Sequence, residues 1–485
     1  MKDKSLIKNC MYNIVYTIAN IIFPFFTSVY VARILLSDGV GRVFYAQNIV
    51  SYFVIFATLG LPIYGIREIS KLRKKRELLN KTFSELFLIN IITTSFSILA
   101  YILLIFFSKI AKDDILLFYI CGIQIFFNYF NVDWFYQGLE EFGYITTRSL
   151  LIKIISLIAL FLFVKNREDY FFYALINVLA TGGNYIFNII HLKKYINFNF
   201  NEITIKKLKI HIAPLIVLAI SIFFSTIYSQ VDITMLGSIT TEKEVAFYSY
   251  AHKIPEMIIM LSTSLTGVFL PRLSYYYKEN RLKFNELVEN GIKILSFISI
   301  PATFAFYVLI PQIIEVFFGS EFLPAVTTAR VFSILIIIKS FGNLLCYQLI
   351  ICSGNEKKRL PAYIVAGISN ILLNTILIPI YGAVGAAIAS LIAEILVNGI
   401  QIFSIRKEFD FKISYKSFIE AIVSSIIMLY GIYYINYIEN ILIIKFILNV
   451  LCGFLIYCII NILMKNEIII QFFYILYKKY KLKKY

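Results

Sequence analysis

The sequence predicts an all-α integral membrane protein with about 14 transmembrane helices and both termini in the cytoplasm. Hydrophobic residues make up 59% of the 485 residues, and the mean hydropathy is +0.78. These values exclude a soluble domain of this size. The second observation is that most of the 46 Lys and Arg residues lie in alternate loops between long apolar stretches.

Each apolar stretch is long enough to cross a bilayer, whose hydrocarbon core of about 30 Å requires about 20 helical residues. The loops between the stretches are too short to form a folded domain. The predicted spans lie near residues 9–33, 42–61, 82–108, 114–137, 143–164, 170–192, 212–238, 245–270, 290–310, 325–351, 361–380, 383–405, 417–437 and 441–463.

The charge of the loops predicts the orientation of these spans. The loop at 62–81 contains Arg73-Lys74-Lys75-Arg76, whereas the next loop, around 109–114, is short and nearly neutral. Basic loops remain in the cytoplasm, so both termini should be cytoplasmic and the number of spans even. Topology and contact with anionic lipid headgroups explain the net charge of +17 better than a nucleic-acid partner does.

The sequence lacks the residue patterns of an enzyme, a metal site or a cofactor site. All six cysteines lie in or beside apolar spans without a CxxC pattern, and the three histidines form no metal-binding motif. We therefore expect no catalytic residues, no metal and no cofactor. The N-terminus runs into a long span without a small-residue cleavage site, so we also expect no removed signal peptide.

Two short echoes indicate an internal repeat. In one, residues 137–140 (QGLE) after the fourth span match residues 353–356 (SGNE) after the tenth. In the other, residues 41–46 (GRVFYA) open the second span, and residues 244–249 (EVAFYS) open the eighth. Six spans separate them, so the two halves would share one orientation, as in transporters with parallel repeats. We predict six-helix bundles at 1–200 and 201–410, two additional transmembrane helices at 411–465, and a basic cytoplasmic tail at 466–485.

Polar residues recur on one face of the first span and of the seventh. A polar face on a membrane helix points to neighbouring helices or to a water-filled cavity, because lipid offers no hydrogen-bond partners. We expect cavity lining, with hydrogen bonding between helices as the alternative. The predicted lining residues are Asn13, Thr17, Asn20, Thr27 and Ser225.

Charged residues within spans are stronger candidates, since a charge at the helix centre costs about 2.5–3.5 kcal/mol on insertion scales. Basic residues outnumber acidic ones among them, and a positive chamber suits an anionic substrate. Some have simpler explanations, because those near span ends reach the interface and Lys253 and Glu256 lie close enough to neutralise each other. The basic candidates are Arg33, Arg148, Lys153, Lys253 and Lys339; the acidic candidates, for a coupling cation or for ion pairs, are Asp232, Glu256 and Glu394.

The stretch 368–389 (ISNILLNTILIPIYGAVGAAIA) resembles a hallmark of bacterial polysaccharide flippases, which export O-antigen and capsule repeat units. These belong to the multidrug/oligosaccharidyl-lipid/polysaccharide superfamily. Ile380 departs from the family, which often has a basic residue at that position. Other passages resemble the family in the same order: 30–47, 133–140, 231–237, 271–274 and 355–357.

The resemblance implies two six-helix bundles around a central cavity, with two further helices, in the bacterial inner membrane. It also implies alternating access that carries an undecaprenyl-pyrophosphate-linked glycan to the outer leaflet. Arg33, Arg148, Lys153, Asp232 and Lys253 would line the cavity. Transport is expected to be coupled to a proton or sodium gradient. The polysaccharide polymerase and chain-length machinery are expected partners.

Three other functions compete with this interpretation. A lipid II flippase shares the span number and the cationic cavity. A multidrug antiporter of the same superfamily would have about 12 spans and an acidic lumen. A membrane polymerase or glycosyltransferase would carry an extended outer loop or an acidic catalytic cluster, and the outer loops of this chain are short.

Overall fold

The computed structural model describes residues 6–108, 114–196, 205–406, 408–409, 415–438 and 441–470. Within these ranges it leaves the side chains of 6–18, 21, 205–206, 221 and 438 undescribed. The described residues are almost entirely helical and include no strand. The all-α class predicted from the apolar stretches is therefore confirmed.

The chain divides into two compact units, Met1–Ala246 and Phe247–Tyr485. The helices of the first unit are α1 (Leu6–Thr58), α2 (Leu61–Leu72), α3 (Arg76–Phe107), α4 (Ile115–Phe127), α5 (Asp133–Gly138), α6 (Phe142–Phe163), α7 (Tyr170–Thr181), α8 (Ile186–Leu192) and α9 (Ile205–Ile239). They are followed by α10 (Glu242–Gly267), α11 (Leu270–Glu279), α12 (Arg281–Phe317), α13 (Ala325–Gly342), α14 (Leu349–Cys352), α15 (Arg359–Ile405), α16 (Tyr415–Ile438) and α17 (Leu442–Leu463).

In the first unit, α1 packs against α3, α4, α6 and α9. The short helix α2 packs against α5, α3 and α9, and a core of buried apolar side chains joins these elements. Ion pairs of Arg42 also hold this unit together. The Arg42 guanidinium lies 3.0 Å from the Asp38 carboxylate and 2.8 Å from the Asp114 carboxylate. The Tyr170 hydroxyl donates to the same Asp114. Asp114 thus links α1 to α7.

In the second unit, α12 is the central helix and contacts α13, α16 and α17. It begins at Arg281, with the Asn280 side chain accepting a hydrogen bond from the backbone N–H of Lys283 at 3.1 Å, as a helix cap does. Beyond α17, Lys293 of α12 donates to Glu467 at 2.6 Å, and this hydrogen bond lowers the pKa of the Glu467 carboxyl. This ion pair adds to the direct packing of the last two helices, α16 and α17, against α12.

Ten helical stretches among the described residues are long and apolar enough to cross a membrane, or up to 11 if the bent pair of α10 and α11 is one span. Many of their large apolar side chains are exposed, including Phe96, Phe106 and Phe454. Such exposure is unfavourable in water and favourable in lipid. The chain is therefore a multi-pass membrane protein.

The longest helices, α1 and α15, are each interrupted at one residue. Leu36 in α1 has φ 57° and ψ −171°, and Gly382 in α15 has φ 54° and ψ −131°. Glycine adopts positive φ without a steric penalty, whereas a residue with a side chain is strained there by about 1–3 kcal/mol. Both interruptions lie in the gaps between predicted spans, so each long helix consists of two helical segments.

Candidate functional site

The second unit contains a cavity of about 310 Å³, lined from α10, α13, the turn that follows α13, and α15. Three of the charged residues singled out in the sequence line it together: Glu256, Lys339 and Glu394. They come from three different helices and are separated by up to 138 positions in the chain. The fold therefore gathers one ammonium and two carboxylates around a single space.

Lys339 and Glu256 form an ion pair within this cavity. Lys339 Nζ lies 2.5 Å from Glu256 Oε1, and His252 Nε2, one turn back on α10, lies 3.2 Å from the same oxygen. His252 also packs edge-on against Phe332, with ring centroids 4.9 Å apart. A charge inside membrane helices is tolerated when it is paired in this way.

The α15 side of the cavity is a polar stripe. Glu394, Asn398 and Gln401 are spaced by four and three residues, which places them on one helical face. Asn398 donates to the Glu394 backbone carbonyl at 2.9 Å and to its carboxylate at 3.3 Å. Gln401 is only 2% exposed, and its Nε2 has no hydrogen-bond partner. A buried donor left unpaired costs about 1–3 kcal/mol.

A π-helical turn at Asn343–Gln348 continues α13 into α14 and shapes the cavity wall. Such a turn contains an extra residue, which reorients the side chains around it, and π turns occur frequently at functional sites. Here Gly342, Asn343 and Tyr347 all face the cavity. Arg359 lies over the Tyr347 ring at 4.7 Å and donates to the Tyr363 hydroxyl at 2.9 Å, so it positions both rings.

Arg148, predicted to belong to a cationic cavity, lies in a buried polar cluster of the first unit. Its guanidinium donates to Asp133 Oδ1 at 2.9 Å and to the side-chain oxygen of Asn188, and it lies over the Tyr144 ring at 5.3 Å. Asn188 in turn donates to Asp133 at 2.8 Å. The cluster, here called the Asp133 cluster, joins α5, α6 and α8.

Two other predicted residues of the first unit are in direct contact. Lys153 of α6 donates to the side-chain oxygen of Asn20 on α1, although 133 positions separate them. Thr27, farther along α1, donates to the carbonyl of Pro24 in its own helix at 3.1 Å. The α1 stripe therefore meets α6 at Asn20, whereas the side chains of Asn13 and Thr17 lie outside the described residues.

Asp232 of α9 is buried, at 3% exposure, next to a polar seam between α1 and α9. In this seam Thr234 donates to Asn48 Oδ1 at 2.6 Å and shares a hydrogen bond with the Tyr52 hydroxyl at 2.8 Å. Asn48 also donates to the Gln230 side chain at 2.8 Å. In this seam, polar side chains of α1 and α9 meet each other's need for hydrogen-bond partners.

The remaining predicted residues lie outside the cavity of the second unit. Arg33 and Ser225 are exposed, on α1 and α9 respectively. Lys253 is half-buried on α10, with its Nζ 5.8 Å from the centroid of the Tyr250 ring. Of the eight predicted charges, the structure thus places three in one cavity and distributes the others.

Sequence reasoning missed the amide and tyrosine residues of the cavity. A signal existed for Asn343, which is four residues after Lys339, and for Asn398 and Gln401, which follow Glu394 at helical spacing. Tyr347 and Tyr363 gave no signal in a chain with 35 tyrosines. The position of Tyr347 depends on the π turn, which the apolar pattern does not reveal.

A second, apolar groove of about 400 Å³ lies in the same unit. Side chains of α10 and α12 form one wall, and those of α16 and α17 form the other, including Phe306 and Phe454. Its lining is apolar except at a few positions such as Asn449 and Tyr457. Asn449 belongs to a cluster of three amides, since it donates to Gln312 at 3.0 Å and to Asn436 at 2.7 Å.

The sequence matches a family model described as polysaccharide biosynthesis protein over residues 6–277, more than half of the chain. The chain belongs to this family. A second model, MatE, matches residues 218–380. The resemblance found in the motifs is therefore confirmed, and the protein is a polysaccharide-flippase family member of the multidrug/oligosaccharidyl-lipid/polysaccharide superfamily.

Individual relatives agree with this assignment. The chain is 23% identical over 417 residues to the "Putative O-antigen transporter" of Escherichia coli (strain K12), covering 83% of this chain and 97% of that protein. It is 26% identical over 207 residues to the "Probable low-salt glycan biosynthesis flippase Agl15" of Haloferax volcanii, covering 41% and 43% of the two chains. The fold is similar to the solved "Lipid II flippase MurJ, inward closed conformation", with a TM-score of 0.77 at 20% identity over 95% of this chain and 100% of that one.

Proposed function

We propose that this protein flips undecaprenyl-pyrophosphate-linked oligosaccharide repeat units from the cytoplasmic to the outer leaflet of the bacterial inner membrane. The product would supply surface polysaccharide, either O-antigen or capsule. One observation carries the proposal: a member of the polysaccharide biosynthesis family encloses a charged, amide-lined cavity within helices of membrane-spanning length. The protein acts as a transporter and not as an enzyme.

The polar groups of the cavity meet the physical requirement for moving a polar headgroup across the membrane. Sugars and a pyrophosphate cannot cross hydrocarbon unaided, because their polar groups would lose their hydrogen bonds with water. A transporter must therefore offer replacement partners at the depth of the membrane. Ammonium, carboxylate and amide groups on α10, α13 and α15 supply both donors and acceptors.

The polyprenyl tail has the opposite requirement. It remains in an apolar environment while the headgroup moves, so a path beside the polar cavity must be hydrophobic. The groove between α10, α12, α16 and α17 provides apolar walls in the same unit. We propose that it accommodates part of the tail, which would explain the addition of α16 and α17 to the repeat.

We also propose 14 spans with cytoplasmic termini. The interruptions at Leu36 and Gly382 support counting two spans in α1 and two in α15. The shorter apolar helix Ile115–Phe130 and the bent pair of α10 and α11 support the fourth and eighth spans. The repeat boundaries at 1–200, 201–410, 411–465 and 466–485 remain part of this proposal.

The basic residues outside the cavity are proposed to contact the anionic pyrophosphate during transport. Lys153 and Arg33 in the first unit and Lys253 in the second are accessible enough for this role, whereas Arg148 would first have to leave Asp133. Asp232 is the proposed site of a coupling proton or sodium ion. A polysaccharide polymerase and chain-length machinery would use the flipped product.

Deletion of the gene tests the proposed function, with analysis of undecaprenyl-linked intermediates. We expect repeat units to accumulate on the inner leaflet and surface polysaccharide to disappear, because the polar headgroup does not cross hydrocarbon unaided. The wild-type chain should restore export, and Lys253→Glu should not, since it reverses a charge that meets the pyrophosphate. The inserted amount of each protein is the control.

Two results would contradict the proposal. Unchanged surface polysaccharide without accumulation would exclude a role in flipping. Accumulation of lipid II in place of repeat units would instead identify a lipid II flippase, and drug sensitivity with normal polysaccharide would identify a multidrug antiporter.

A further inference from the structure

We propose that the cavity lined by α10, α13 and α15 is a saccharide-binding subsite that accepts a neutral or amino-bearing sugar residue and rejects an acidic one. The proposal rests on the proposed function and specifies the chemistry of the glycan that the protein carries. The juxtaposition of Glu256, Lys339 and Glu394 with Gln401 carries it.

The lining groups match the needs of a sugar. Each hydroxyl of a pyranose both donates and accepts hydrogen bonds, so a sugar site needs acceptors and donors close together. The two carboxylates are acceptors, Lys339 is a donor, and Asn343 and Asn398 carry both kinds of group. Hydrogen bonds that involve charged groups are the stronger ones, which favours carboxylates and ammonium as sugar contacts.

Gln401 provides an independent indication of a ligand. Its side chain lines the cavity, is 2% exposed, and has an Nε2 without a partner. Buried polar groups in native proteins are almost always hydrogen-bonded, so an unpaired donor at a cavity wall points to a missing acceptor. A sugar hydroxyl or ring oxygen is such an acceptor.

The size and the aromatic walls restrict the ligand further. A volume of about 310 Å³ lies at the lower end of small-molecule pockets, which span roughly 300–1,000 Å³. This space fits a single sugar residue better than an extended oligosaccharide. Tyr347 and Tyr363, both held by Arg359, offer ring faces for the C–H surface of a pyranose.

The charge balance determines which sugar is accepted. Among the residues that line the cavity, two carboxylates face one ammonium, and that ammonium is already paired with Glu256. Arg359 contacts the two tyrosines and is not itself part of this lining. A uronic acid would bring a third carboxylate next to these groups, and like charges placed together are strongly unfavourable. A neutral sugar adds no charge, and an amino sugar would gain attraction to Glu394.

Saturation-transfer NMR on the full-length protein in nanodiscs tests this inference, with N-acetylglucosamine, glucosamine and glucuronic acid as probes. We expect the first two to bind and glucuronic acid to bind at least about tenfold more weakly. Gln401→Met and Glu394→Gln should each weaken binding of N-acetylglucosamine about tenfold, because each removes a hydrogen bond in a desolvated site. Glu394→Gln should also reduce the discrimination against glucuronic acid.

Glu77→Gln is the matched control, since it makes the same change at an exposed position of the first unit and should leave binding unchanged. Equal binding of glucuronic acid by the wild-type chain would overturn the inference without any variant. Unaltered binding in both cavity variants would overturn it as well. Sodium binding in calorimetry that Glu394→Gln abolishes, without sugar saturation, would assign the cavity to a cation.

The proposed function and this inference fail in different ways. A wild-type chain that restores export but shows no sugar saturation refutes the subsite and leaves flipping intact. A deletion without accumulation of lipid-linked glycan refutes flipping, whatever the NMR result.

Discussion

At the scale of single residues, the Asp133 cluster shows how a charge is held inside this protein. Arg148 is 7% exposed, and Asp133 and Asn188 both accept hydrogen bonds from its guanidinium. Tyr144, which lies beneath Arg148, stacks on His191 with ring centroids 4.2 Å apart. The two terminal nitrogens of the guanidinium are thus both hydrogen-bonded within the first unit, and these bonds join α5, α6 and α8.

Arg148→Met should destabilise the protein by about 3–5 kcal/mol, because it leaves the largely buried Asp133 carboxylate without its cationic partner. The measurement is the free energy of unfolding of the purified protein in detergent. Arg73→Met is the matched control, since Arg73 binds Glu140 at 2.7 Å with both side chains more than a third exposed. An exposed pair of this kind contributes about 0–1 kcal/mol. Equal losses for the two variants would contradict a structural role for the cluster.

The sequence identified Arg148 as an unusual charge but not as a partner of Asp133 and Asn188. A charged residue within an apolar stretch is recognisable in the sequence because the residues around it are hydrophobic. Pairing between helices is not visible, since Asn188 lies 40 positions from Arg148 and any of several carboxylates had the right chemistry. For the same reason the contact of Lys153 with Asn20 was unforeseen, although both residues were singled out.

At the scale of helices, the apolar pattern located the elements well and their irregularities poorly. The interruption at Gly382 follows Pro379 and lies where the sequence separates two spans. The π turn at Asn343–Gln348 gave no such signal, because its residues continue an apolar helix without proline or glycine inside it. Asn343 and Tyr347, which this turn places at the cavity, were therefore among the residues that sequence reasoning missed.

Gly382→Ala should destabilise the protein by about 1–3 kcal/mol, because alanine is strained at φ 54° and ψ −131°. Gly399→Ala, in the same helix, is the control. Its added methyl group would meet no atom within 4 Å, and alanine in a helix is favoured over glycine by about 0.5–1 kcal/mol. The unfolding temperature should therefore fall in Gly382→Ala and rise in Gly399→Ala. A shift of Gly382→Ala to higher temperature would show that α15 runs unbroken through this position.

At the scale of the whole molecule, the distribution of charge carries most of the information about orientation. The exposed basic residues Lys71, Lys74 and Arg76 crowd the connection between α2 and α3, whereas the connection between α6 and α7 is short and of mixed charge. Short basic loops are retained in the cytoplasm during insertion. The two connections should therefore lie on opposite sides of the membrane.

Single cysteines in a cysteine-free background test this orientation. Lys74→Cys and Glu168→Cys place the thiol at exposed positions of the two connections. A membrane-impermeant maleimide added to intact spheroplasts should label Glu168→Cys at once, and it should label Lys74→Cys only after the membrane is permeabilised. Because each position serves as the control for the other, incomplete sealing of the spheroplasts would appear as labelling of both. Labelling of Lys74→Cys alone in sealed spheroplasts would reverse the proposed topology and, with it, the direction in which the cargo enters.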